Sequence, residues 1–199
     1  MANLKEIRNR ISSVTSTMKI TSAIKMVSAA KLKKAQDAIT AMKPYSEKLN
    51  DLMSSFSNVI SSSNISYLAS QRPIKNVLVV VIASNRGFCG AFNSNIVKKS
   101  IALKSEDKFS NAEFNFIVLG KKVHDVLCKT ETISQNKSEI FDNLSYDNSS
   151  QIIDEIIKDF ADEKYDHVQL IYNSFKNAAN QIVKSEQLLP IVNDSESEV

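Results

Sequence analysis

Residues 3–43 run for forty-one positions without a glycine or a proline. Ala, Lys, Met, Ile and Leu dominate the stretch, and most of these are strong helix formers. Asn3 is placed to cap the first turn, and Glu6 three residues later completes a capping-box-like pair. Leu4, Ile7, Ile11, Val14 and Met18 then follow at spacings 3-4-3-4, the seam of a coiled coil. The seam slips at Ile20, Ile24 and Val27, which continue on a shifted stripe, and Leu32, Ala35, Ile39 and Met42 resume the pattern. Small residues surround the slip (Ser22, Ala23, Ser28, Ala29, Ala30) and let a partner backbone come close. Pro44 is expected to kink or end the helix. Tyr45, Leu49, Leu52, Met53, Phe56 and Ile60 recur at helical spacing beyond it, and Ser61-Ser62-Ser63-Asn64 reads as a stop. Residues 1–60 are thus expected to form one long coiled-coil helix. At about 1.5 Å per residue it would span roughly 80 Å, more than the diameter of a domain this size. It is expected to project from the body, with an apolar stripe that needs a partner.

Charge narrows the partner. The formal net charge is +3, but residues 1–50 hold ten Lys/Arg against three Asp/Glu, and the remainder holds fifteen against nineteen. A basic arm on a slightly acidic body is suited to a negative partner. A basic-zipper DNA reader would place its basic block before the heptads, whereas here bases and heptads interleave. A single-strand binder needs aromatic stacking platforms, and the first aromatic is Tyr45. An interfacial membrane helix usually carries Trp or Phe. A coiled-coil arm that pairs with another helix, its basic side toward an acidic protein, fits best, with no nucleic acid.

After a loop over 61–74 the pattern changes. Val77–Ala83 is a continuous apolar run, expected for a central strand buried on both faces. The turn Ser84-Asn85-Arg86-Gly87-Phe88-Cys89-Gly90 follows, then a helix capped by Asn93 and bearing Ile96, Val97 and Ile101. Phe114–Gly120 is the next strand, Lys121–Cys128 a short helix, and Thr130–Ile133 a minor strand. Ser134–Ser150 reads as a loop. Gln151–Ala161 is an amphipathic helix, His167–Phe175 a strong strand and Gln181–Ser185 an edge strand. This alternation predicts a small Rossmann-like α/β/α domain over 75–190 with a parallel, doubly wound sheet, followed by an acidic tail over 191–199.

Chemistry-bearing patterns are sparse. Neither GxGxxG nor GxxxxGK[ST] occurs, and no metal-ligand spacing such as CxxC or HExxH is present. His124 and His167 are the only histidines, and neither is placed by sequence beside Cys89, so no nucleophile–base pair is read. Cys89 is expected to be a buried structural thiol, and with Cys128 a free one in a reducing compartment. Asp159, Asp162, Glu163 and Asp166 read as a solvated face at a helix end. No catalytic residue, cofactor or metal is expected. The longest apolar run, seven residues, is far short of the about 20 that a membrane span needs, and no apolar segment follows Met1 as in a signal peptide. The turn after the first strand could hold an anion at a helix N-terminus. The plainer reading is that Gly87 and Gly90 permit a tight strand-to-helix turn.

The motifs together resemble the gamma-subunit family of F-type ATP synthase. The resemblance is carried by Ile7-Arg8-x-Arg10-Ile11-x-Ser13-Val14, by Lys19-Ile20-Thr21-x-Ala23-x-Lys25-Met26-Val27-x-Ala29-x-Lys31-Leu32, by Ser84–Asn93, by Tyr172-Asn173-x-Phe175 and by Leu188-Leu189-Pro190. It covers nearly the whole chain. It implies a shaft of two antiparallel helices that rotates within a ring of alpha and beta subunits, and an α/β domain at its foot beside epsilon and the membrane ring of c subunits. It implies no catalytic residue in this chain. Leu4, Ile7, Ile11, Val14, Met18, Ile20, Ile24 and Val27 would then pack the shaft. Arg8, Arg10, Lys19, Lys25, Lys31, Lys33 and Lys34 would meet the ring, and Arg86, Gly87, Cys89, Gly90 and Asn93 form the family's signature turn. The implied location is the cytoplasmic face of the bacterial inner membrane, peripherally bound. Asn85 stands where the family usually has Asp, and Phe88 where it usually has Leu. The family continues past Leu188-Leu189-Pro190 into a second shaft helix, whereas here Asp194-Ser195-Glu196-Ser197-Glu198 follows. A fragment, a truncated reading frame or a remainder on another chain is therefore expected, with self-association through the bare stripe. The alternative function is a nucleotide- or anion-binding α/β protein with a coiled-coil dimerisation arm.

Overall fold

The computed structural model describes residues 3–60, 66–177 and 179–191. It falls into two units, Met1–Phe56 and Ser57–Val199. The first is one helix, α1 (Leu4–Ile60). Asn3 caps it, its side-chain oxygen accepting from the Lys5 amide at 3.2 Å. The helix runs through Pro44. The pyrrolidine ring removes one amide from the ladder there, and long helical stretches flank it.

The second unit is a five-stranded sheet with helices on both faces. Its elements are β1 (Asn76–Ile82), α2 (Phe92–Leu103), β2 (Glu113–Leu119), α3 (Lys121–Leu127), β3 (Ile133–Asn136), α4 (Tyr146–Ala161), β4 (His167–Phe175) and β5 (Gln181–Leu189). The strand order is β3-β2-β1-β4-β5. The β-branched run of β1 lies in the centre, and its side chains alternate between two cores. Val77, Val79 and Val81 join Ile96, Leu103, Val123, Leu127 and Phe116 under α2 and α3. Leu78 and Val80 join Ile152, Ile156, Phe160 and Val168 under α4.

Several expectations need correction. The sheet is parallel across β1, β2, β3 and β4, but β5 runs antiparallel to β4. Only a short connection separates β4 from β5; in it Asn177 Oδ1 accepts from the Ala179 and Asn180 amides, and a hairpin reverses the chain where a crossover would not. β5 extends to Leu189. The minor strand is Ile133–Asn136. The helix expected from Gln151 begins at Tyr146, because Ser145 caps it by accepting from the Asn148 amide. α2 starts at Phe92, so Asn93 lies inside its first turn and does not cap it. The tail 192–199 and the serine run 61–64 lie outside the described residues.

Candidate functional site

The eight apolar positions singled out on α1 are all exposed, from 45% at Ile7 to 71% at Leu4. At 3.6 residues per turn each residue advances about 100° around the axis. Leu4, Ile7, Ile11, Val14 and Met18 then fall within an arc of about 80°. Ile20, Ile24 and Val27 fall roughly 150° away. The slip at Met18–Ile20 therefore changes face, so the helix carries two apolar stripes, one after the other, on nearly opposite sides. Arg8, Arg10, Lys19, Lys25, Lys31, Lys33 and Lys34 are exposed as well, and the same rotation scatters them around the helix. The single basic side expected from the charge count is not there, because their spacings follow no 3–4 rhythm. Among the described residues none of the seven is in an ion pair; the pairs on α1 lie later, at Lys43–Glu47 and Lys48–Asp51.

A shallow groove runs along the first stripe, with Val14 and Met18 between Ser13, Thr17, Thr21 and Ser22. The Thr17 and Thr21 hydroxyls donate back to the Ser13 and Thr17 carbonyls at 3.0 and 2.8 Å. That consumes their donors within the helix. Such a surface admits a second helix at close range.

The signature turn stands at the C-terminal ends of β1 and β2. Asn93 is its tie: its side-chain oxygen accepts from the Ser84 amide at 3.1 Å, and its amide donates to the Arg86 carbonyl at 3.3 Å and to Cys89 Sγ at 3.2 Å. Asn85 holds the neighbouring loops, donating to the Ser138 carbonyl and accepting from the Lys121 amide, both at 2.9 Å. Gly90 has φ of +60°, as a glycine in a tight turn should, but Gly87 does not occupy that region; Phe88 does, at +58°. These two left-handed residues flank Cys89 and throw it outward, so the thiol expected to be buried is exposed. Phe88 is fully exposed. Gly120 matters more than either turn glycine: at φ +142° an added Cβ would lie 2.7 Å from the Ala83 carbonyl carbon and oxygen.

The opposite end of the sheet holds a clasp that no local pattern announces. Arg72 lies over the Phe160 ring, its guanidinium carbon 4.6 Å from the centroid. It donates to the Phe160 and Tyr165 carbonyls at 3.0 and 3.1 Å. Asp166, expected in a solvated cluster, is largely buried; its carboxylate accepts from the Lys75 and Asn76 amides, both at 3.0 Å, and pairs with Arg72 at 3.8 Å. His167 beside it is buried, and burial pushes its imidazole below the usual histidine range against the raising effect of its Gln169 hydrogen bond. These partners are about ninety residues apart in sequence, so only the fold could bring them together. His124 lies on α3. Among the described residues no group of acids, histidines and cysteines is arranged to hold a metal, and no helix is long and apolar enough to cross a membrane.

A family model described as ATP synthase matches residues 3–199. The chain is 52% identical over 191 residues to an ATP synthase gamma chain of Christiangramia forsetii, covering 96% of this chain and 66% of that one. It is 37% identical over 198 residues to the ATP synthase gamma chain of Geobacter metallireducens, covering 69% of that chain. Its fold is similar to a chain in the central stalk and c-ring structure of Tetrahymena thermophila mitochondrial ATP synthase, with a TM-score of 0.56, 29% identity, and coverage of 86% of this chain and 72% of that one. The chain thus spans about two thirds of the length of the gamma chains it matches.

Proposed function

The chain belongs to the gamma-chain family of ATP synthase, and from that premise we propose that it is a non-catalytic rotor subunit of the central stalk, turning within a ring of alpha and beta subunits and so coupling ion flow to ATP synthesis. The observation that carries this reading is the 57-residue α1 with two exposed apolar stripes on opposing sides. One stripe alone would suit a simple two-helix hairpin. Two stripes suit a helix that meets a second shaft helix on one side and a surrounding ring on the other. Leu4, Ile7, Ile11, Val14 and Met18 pack the second shaft helix, supplied by the part of the family's length that this chain does not span. Ile20, Ile24 and Val27 turn toward the ring.

The seven bases make passing contacts with acidic ring loops. Exposed pairs are each worth only about 0–1 kcal/mol, which suits contacts that break on every step, and a charge distributed around the axis meets the ring at every angle of rotation. The sheet unit, with Arg86, Gly87, Cys89, Gly90 and Asn93 shaping its presented turn, sits at the foot with epsilon and the c ring. The complex is peripheral on the cytoplasmic face of a bacterial inner membrane.

Two measurements test the reading. Native mass spectrometry of the gently isolated endogenous protein should find it with alpha, beta and epsilon subunits; recovery alone with a small ligand overturns the proposal. In the assembled complex, Arg8→Glu with Lys25→Glu should lower the coupling of hydrolysis to pumping more than it lowers assembly, and unchanged coupling removes the role given to the bases. The alternative, an anion-binding α/β protein, requires phosphate or a nucleotide to raise the melting temperature of the sheet unit, and the rotor reading expects no shift.

A further inference from the structure

The two edges of the sheet differ. β3 is four residues long and its pairing with β2 breaks register after one pair. β5 is nine residues long and, among the described residues, has β4 as its one strand neighbour. A long edge strand presents a row of backbone groups to any chain that can pair with it, and a charged side chain on it is the usual guard. On β5 that guard is Lys184 with Glu186, whose side chains lie 2.9 Å apart and are each 47% exposed. Ile182, on the same face by the two-residue period, is 51% exposed.

These residues are symmetric about Ser185. We propose that a second copy of this chain adds antiparallel along β5, about a two-fold axis through Ser185 perpendicular to the sheet, so that the two sheets become one of ten strands. In that register Lys184 faces the partner's Glu186 and Glu186 faces the partner's Lys184. Ile182 faces the partner's Leu188, the residue at the bulge of β5, and Ser185 faces its own counterpart. The guard that repels other strands thereby attracts its own copy. Slipping the pairing by two residues either way puts Lys184 opposite Lys184 or Glu186 opposite Glu186, and like charges directly opposite destabilise. The charges therefore specify both the partner and the register. Seven paired residues bury far less than the roughly 800 Å² per partner of a standard interface, so the association is weak and belongs to the free subunit.

The experiment uses the full chain, with Cys89→Ser and Cys128→Ser throughout, and a short bis-maleimide linker. Ser185→Cys should cross-link to dimer, since directly opposite positions lie about 5 Å apart. Ile182→Cys should not, since its counterpart is about 20 Å away at roughly 3.4 Å per residue. Adding Lys184→Glu to Ser185→Cys should lower the dimer yield about tenfold, and the charge swap Lys184→Glu with Glu186→Lys should restore it. Association through α1 would be untouched by these changes and would give equal yields throughout. Equal yields from Ser185→Cys and Ile182→Cys, or no loss with Lys184→Glu, overturn the proposal. Hydrogen exchange of the unsubstituted chain covers the case of a misfolded variant: the outward amides of β5 should exchange more slowly as concentration rises, and concentration-independent exchange overturns it as well.

Discussion

The helix and the sheet unit divide the apolar residues of the chain in opposite ways. Among the described residues every buried core hydrophobic lies between Val77 and Leu189, in two layers that close on β1. The described part of α1 keeps its large apolar side chains exposed. The sheet unit therefore carries its own stabilisation, whereas the described part of α1 buries none of its large apolar side chains. Local propensity makes α1 a helix, and tertiary packing makes the sheet unit a fold.

The largest effects should come from the sheet core. Phe116→Ala empties a fully buried site and should lower the unfolding free energy of the sheet unit by about 3–5 kcal/mol, read from its denaturant midpoint; a loss under about 1 kcal/mol would mean that this unit does not carry its own core. Gly120→Ala should lower it on the order of 3 kcal/mol, because the new methyl must displace the Ala83 backbone. Asp166→Ala strands the Lys75 and Asn76 amides and Arg72, and should lower it by about 2 kcal/mol. A change near zero would return Asp166 to the solvated face.

A smaller effect depends on pH. Burial holds the folded His167 below its ordinary value of 6.5, so the unfolded chain binds the proton more readily. Lys108 nearby pushes in the same direction, while Gln169 and Glu106 oppose it. The contribution of this site is full above about pH 6.5 and is lost as the pH falls below it. Urea midpoints between pH 5 and 8 should show that decline, and His167→Phe should flatten it. The smallest effect should be in α1. Ile11 is 60% exposed, and Ile11→Ala should leave the sheet midpoint unchanged while raising helicity slightly, by a few tenths of a kcal/mol in propensity. A clear destabilisation would break the comparison, because the stripe would then already be covered.

What could be read from sequence follows the same line. β1 is a continuous apolar run, β2 and β4 are rich in apolar β-formers, α4 is an amphipathic repeat and α1 is free of glycine and proline up to Pro44, so each announces itself within a few residues. The direction of β5 was carried instead by the length of its connection: only residues 176–180 separate it from β4, too few for the parallel crossover of about a dozen. The Arg72–Asp166 clasp joins residues about ninety positions apart, and no local rule reaches that far. Cys89 was misplaced because its exposure depends on the left-handed backbone of Phe88, a residue that rarely adopts it. On α1 the heptad spacing was legible, but the change of face at the slip requires the rotation per residue to be followed along the helix.

The reversal of β5 has a mechanical consequence. Because the strand runs against its neighbours, the chain leaves the sheet at the same end at which it entered through β1, and the Ile191 amide donates to the Leu68 carbonyl at 2.8 Å where the two segments meet. A force that separates the two segments must first break this tie, so the entry and the exit of the sheet unit are held as one.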